Sequence, residues 1–272
     1  MPQAGFALPL TYTGLTALAL LVLPLAVLLA WKKKARAPLG PVWAGALSFF
    51  LFSKVLEGAA HLFCIVQDNP VSRAIGASPW LFTLYGCAMA GIFEEVGRYA
   101  VFSTVLKKYQ DPQTALGYGI GHGGIEVYLN MLLPVAAYFA VGLAYLKGGE
   151  GAVGDSLPLA QAAGGFTLGY GLLVILERVG AMAVHLIFSV VVFWAARHKS
   201  LPTLLLAVLL HGLVDVPPGL YQYGALNMPL TEGLFLLLVA AMIPVGLRYW
   251  RRLKAPGGDG GDEGPSSAPG QG

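Results

Sequence analysis

The most apolar stretches of this sequence are interrupted by groups that can move protons, hold a metal or carry a fixed charge. The carboxylates are Glu57, Glu94, Glu95, Glu126, Glu177 and Asp215; the histidines are His61, His122, His185 and His211; the cations are Lys54, Arg98 and Arg178. Their spacing follows the helix repeat. Arg98 lies one turn after Glu94, while Glu95 points about 100° away. His122 and Glu126 are i,i+4, as are His211 and Asp215, and Arg178 and His185 are two turns apart on one face. Peptide hydrolysis away from bulk water needs an activated water, a stabilised oxyanion and a wet path to the bond. A glutamate can be the base, and histidine with aspartate can polarise a carbonyl or hold a metal. Six carboxylates against three fixed cations leave an excess negative charge. Protonated carboxylates, charged histidines or a bound divalent cation such as zinc would each relieve it.

The elements that must position these groups are membrane helices. The chain has 272 residues, 56% of them hydrophobic and only 11% charged, with a mean hydropathy of +0.68. This excludes disorder and leaves too little charge to solvate a globular surface. The net charge of +3 gives no support to nucleic-acid binding. Seven stretches are long enough to span a bilayer, at about 10–30, 41–66, 79–106, 113–146, 169–197, 200–216 and 231–248. Pro134 and the glycine-rich start of the fourth predict a kink or break there. The loop at about 147–158 reads as a connection. Twelve Lys and Arg lie at the exits of the odd-numbered helices and two on the opposite side. The positive-inside rule then places the N-terminus outside and the C-terminus in the cytoplasm. The first span lacks a basic n-region and reads as a retained helix. We therefore expect an all-α, polytopic helical bundle in the cell membrane. It forms one integral membrane domain over 1–254, with a motif-bearing core at about 79–216 and a disordered cytoplasmic tail over 255–272.

Several polar residues also have structural readings. Lys54 and Glu57 read as a structural ion pair, with His61 beside them. Glu177–Arg178 reads equally as a helix–helix clamp or as part of a site. Cys64 and Cys87 read as small apolar fillers. Tyr99, Tyr118, Tyr128 and Trp80 read as packing or interface aromatics, and His198 as a loop residue. The soluble zinc-protease motif HExxH is absent, as is the nucleotide-binding signature GxxxxGK[ST].

Four motifs in order, Glu94-Glu95-x-x-Arg98, Gly121-His122-x-x-x-Glu126, Glu177-Arg178 followed by His185, and His211-x-x-x-Asp215, resemble those of the YhfC family of intramembrane proteases. That family is similar to the type II CAAX prenyl endopeptidases, the bacteriocin-processing enzymes and the PrsW proteases. The resemblance implies an intramembrane endopeptidase, glutamic-type or metallo, acting on membrane-embedded or membrane-associated peptides. Glu94 or Glu95 would activate the water. His122 or Glu126 would fill the second-motif position, and His185 a further one. His211 and Asp215 would polarise the carbonyl or bind a metal, with Arg98, Glu177 and Arg178 in support. His122, His185, His211 and Asp215 are the implied metal candidates. The CAAX relatives have one more residue before the arginine and Asn at the Asp215 position, so a metal ligand there gains weight. The rival reading is a proton-coupled transporter or ion-conducting protein using the same groups as a relay. Hydrolysis is favoured because the polar groups gather on helices three to six and no inverted repeat is evident. A single site requires Glu94 or Glu95, His122, His185 and His211 within about 5–8 Å of one another.

Overall fold

The computed structural model describes residues 5–255. The expected disordered tail lies outside the described residues except for its first residue. Among the described residues every regular element is helical. Five helices qualify individually as spans: α1 (Ala7–Ala35), α2 (Gly40–Val66), α5 (Gln113–Gly148), α7 (Leu168–Arg197) and α10 (Met228–Lys254). Two bent pairs bring the number to seven. In the first, α3 (Pro70–Gly76) meets α4 (Pro79–Ser103) at 110°. In the second, α8 (Leu201–Val214) meets α9 (Val216–Gln222) at 41°. The seven expected stretches match these units. A short helix, α6 (Leu157–Gly164), lies in the connection between α5 and α7.

The bends follow from proline chemistry. A residue before proline is pushed out of the helical region. Ser78 is extended (φ −141°, ψ 130°) ahead of Pro79, and its Oγ accepts from Leu81 N to cap α4. Pro217 and Pro218 follow Asp215, so two backbone donors are missing where α8 would otherwise continue. In α5 the expected break takes another form. The helix runs through Pro134 as one 36-residue span. Its hydrogen bonding widens to the π register over Val127–Leu132, which accommodates the donor that Pro134 lacks. In α2 the same widening occurs over Phe50–Glu57 and Leu62–Val66.

Helix α7 is the central post. Two-thirds of its most apolar window (67%) is buried, against 11–33% for the other four individual spans. Val191, Phe193 and Ala195 pack against Phe102 of α4, Tyr118 of α5, Ala207 of α8 and Tyr249 of α10, and Phe188 packs against Val214, Phe235 and Met242. Helix α2 crosses α5 backbone against backbone. A Cβ on Gly45 would lie 2.1 Å from the Tyr118 carbonyl oxygen, and one on Gly121 would lie 1.8 Å from that of Val42. Only glycine permits this approach, which brings Ser48 and Phe49 of α2 against Tyr118 and His122 of α5. Beyond the crossing the two helices part. There α2 leans on α4 and α3, while α5 leans on α1 and α6.

One end of the bundle collects the basic residues. Trp31 Nε1 donates to Gln113 Oε1 at 3.0 Å, Arg197 Nη1 donates to the Gln110 carbonyl at 3.1 Å, and the Arg252 guanidinium lies over Trp194 and Tyr249. Lys32–Lys34, Lys107, Lys108 and Lys199 belong to the segments that meet there.

Candidate active site

The site lies about midway along α4 and α7, in the first half of α5, and at the junction of α8 with α9. Glu94 and Glu95 are consecutive and, 100° apart on α4, face different surroundings. Glu94 lines a cavity of about 480 Å³. Glu95 is fully buried between Arg98 and His211 and does not reach that cavity. Its Oε1 is 2.6 Å from His211 Nδ1, and its Oε2 is 3.2 Å from Arg98 Nε.

Glu94 is the hub. Its Oε1 accepts from Ser53 Oγ at 3.1 Å. Around its Oε2 stand three imidazole nitrogens from three helices: His122 Nε2 (α5) at 2.9 Å, His185 Nδ1 (α7) at 3.9 Å and His211 Nε2 (α8) at 3.9 Å. His211 is stacked on Phe188 and has Asp215 Oδ2 at 3.4 Å from its Nε2. Arg98, fully buried, ties the helices together. Its Nη1 donates to the His185 carbonyl at 3.0 Å and to Ser189 Oγ at 2.6 Å, and its Nη2 is 3.8 Å from Glu94.

A second group adjoins the first through His185. The Nε2 of His185 pairs with Glu126 Oε2, and Glu126 Oε1 accepts from Arg178 Nη1 at 2.9 Å. Arg178 also pairs with Glu177. The structure therefore brings Glu94, Glu95, Arg98, His122, Glu126, His185, His211 and Asp215 into one connected cluster, with Glu177 and Arg178 at its side. Glu94, Glu126, Glu177, Arg178, His185, His211 and Asp215 line the same cavity.

The donor set suits a divalent cation. One ligand atom from each of Glu94, His122 and His185 lies within 4.8 Å of the others, and the same holds for Glu94, Glu95 and His211. Nitrogen and carboxylate donors at this spacing are what a zinc-like ion takes. A cation there would also offset the excess of buried carboxylates. Between them the two sets contain His122, His185 and His211 together with Glu94 and Glu95, and Asp215 stands beside them, 3.4 Å from His211 Nε2.

Three features depart from sequence expectation. Glu57 pairs with His61 (3.2 Å), whose Nδ1 meets Tyr85 Oη at 2.9 Å, whereas Lys54 lies over the Phe49 ring and has no carboxylate partner among the described residues. The π register over Phe50–Glu57 is the reason, since its wider turn carries i and i+3 apart. Ser53 and Ser189, which bind Glu94 and Arg98, were not anticipated; a serine in an apolar helix carries no distinguishing signal. Glu232 of α10 is a further buried carboxylate, with Oε2 unpartnered. Its place near the start of the last span hid it. Tyr118 is a packing aromatic, as expected, although its ring also lies under Arg98 and its hydroxyl donates to Ser48 Oγ at 2.6 Å.

Comparison with known proteins gives two matches. The family model described as "YhfC intramembrane metalloprotease" matches residues 19–236. A membrane protein of Bacillus subtilis (strain 168), named "Uncharacterized membrane protein YhfC", is 32% identical over 228 residues, covering 81% of this chain and 88% of that protein. No solved structure matches.

Proposed function

Because the chain belongs to the YhfC family of membrane proteins, we propose that it is an intramembrane endopeptidase that cleaves membrane-embedded or membrane-associated peptides. The observation that carries this reading is the convergence of three imidazoles on one carboxylate oxygen of Glu94, at the wall of a cavity that Glu94, His185 and His211 line. His122 and His185, beside Glu94, would hold a divalent cation, which when bound supplies Lewis acidity at that point.

The chain's own residues have separate tasks. Of the two adjacent glutamates, Glu94 is the one that meets water, since Glu95 is sealed off. Ser53 fixes the Glu94 carboxylate through Oε1 and leaves Oε2 toward the cavity. Glu94 takes the proton of the attacking water as its oxygen bonds to the carbonyl carbon. The proton reaches the leaving amine by way of His211 Nε2, 3.9 Å away. Glu95 holds the other ring nitrogen and so sets the orientation of that imidazole. Asp215, at the more open side of His211, supports the ring in its charged form. On this reading the basic end of the bundle faces the cytoplasm by the positive-inside rule, and the cavity, set well inside the spans, opens at the depth of the hydrocarbon layer.

The test is cleavage of synthetic membrane peptides by protein reconstituted in liposomes. Glu94→Gln and His211→Ala should each abolish turnover; unchanged rates in both would overturn the assignment. A proton flux lost in the same variants, without cleavage in the parent, would replace hydrolysis with transport. Purified protein should carry about one divalent ion per chain and lose it with His122→Ala. Full activity in chelator would remove the metal from the scheme.

A further inference from the structure

Lys54 is the cation that the cluster leaves unmatched. The two arginines of the site are each held by two carboxylates, Arg98 by Glu94 and Glu95 and Arg178 by Glu126 and Glu177. Among the described residues no carboxylate lies within 4.0 Å of Lys54 Nζ, which sits 5.5 Å over the Phe49 ring. The carboxylate expected to neutralise it, Glu57, is engaged by His61 instead. Lys54 is the fifteenth of the 27 residues of α2. It is about 18 Å from the nearer end of the helix, at about 1.5 Å per residue, which is beyond the reach of a snorkelling side chain. An intramembrane charge at such depth marks a function and calls for a partner.

Its position says where that partner comes from. Lys54 lines the same cavity as Glu94, His185 and His211. It is exposed, as is Asn130 of α5, another lining residue, so both stand at the open side where α2 and α5 part. The residue before it, Ser53, holds Glu94. The ring beneath it, Phe49, packs edge-on to His122 at a centroid distance of 5.1 Å. An anion on Lys54 would therefore lie beside the reacting centre, between it and the opening.

We propose that Lys54 binds a carboxylate of the peptide substrate, and so selects peptides with an acidic group close to the scissile bond. This rests on the endopeptidase reading for the nature of the ligand. The carboxylate is either the peptide's C-terminus or the side chain of an Asp or Glu.

The probe is one synthetic membrane peptide in three forms: free C-terminal carboxylate, C-terminal amide, and the amide with one internal Glu. Binding is measured by fluorescence anisotropy in maltoside micelles, which contain no phosphate, on the Glu94→Gln protein; cleavage is measured on the parent. One acidic form should bind about tenfold more tightly than the neutral amide, and which of the two does so identifies the source. Adding Lys54→Met should bring the ratio to about one, and Lys54→Arg should keep most of it. The arginine variant stands as the test if the methionine variant does not fold. No discrimination in the parent background, or discrimination that survives Lys54→Met, would overturn the proposal. So would a Lys54-dependent affinity for short-chain phosphatidylglycerol that displaces the peptide acid. Lys54-dependent binding without cleavage of any peptide would refute the endopeptidase reading and leave the carboxylate site standing. Cleavage indifferent to acidic groups would do the reverse.

Discussion

Two polar groups share one cavity and are built from the same residue types, but they are wired differently. In the Glu126–Arg178–Glu177 group each charge is matched by direct contact, and the guanidinium is saturated by two carboxylates. In the Glu94 group, two of the three imidazole nitrogens stand at 3.9 Å from the central oxygen, too far for a hydrogen bond. A third body, water or a cation, fits among them. Saturated pairs of this kind hold helices together, whereas groups that converge without bonding one another are what a reaction requires. His185 belongs to both, with one ring nitrogen in the clamp and the other facing Glu94.

The sharpest way to break this contrast is Glu94→Gln. We expect a loss of about 10³-fold in turnover, within the range for a lost general base, with thermal stability in detergent unchanged or raised. A large loss of stability instead would make Glu94 part of the scaffold. Arg178→Met should behave in the opposite way. It strands Glu126 and Glu177 without their cation, and unfolding should show a loss of about 3–5 kcal/mol. A stable variant with no activity would move Arg178 into the chemistry. Glu95→Gln comes next, with an expected 10–100-fold fall in turnover from the loosened His211 and little change in peptide KM. An effect as large as that of Glu94→Gln would exchange the roles assigned to the two glutamates. The smallest expected effect is that of Ser53→Ala. Removing one hydrogen bond from Glu94 corresponds to about 1 kcal/mol, or about fivefold in rate.

Much of this arrangement is legible in the sequence. Charge scarcity and seven apolar stretches give the class. Carboxylates and histidines at helical spacing show which helix faces turn inward, because an ionisable group cannot face lipid cheaply. The remainder depends on information that sequence spacing does not carry. Adjacent glutamates look equivalent until α4 is docked, after which one faces a cavity and the other an arginine. Lys54 and Glu57 read as a pair only if α2 keeps its α register. The connection after α5 contains α6 because Ala160 and Ala163 pack against Phe6 and Tyr145 near the start of α1 and the end of α5, a tertiary effect. Glu232 carries no signal in the sequence, because burial, and not residue type, distinguishes it from a helix-end carboxylate in water.

The widened turns of α2 and α5 have a consequence for how such chains are to be aligned and altered. A π turn is the trace of one extra residue accommodated inside an α-helix, with both ends of the helix left in place. A relative lacking that residue would match this chain on either side of Phe50–Glu57 but be out of step within it. Deleting a single residue there would restore the ordinary turn with both ends of the helix left in place, and would re-aim only the residues within the segment, so the aim of Lys54 is set by the length of the helix as much as by the identity of its residues.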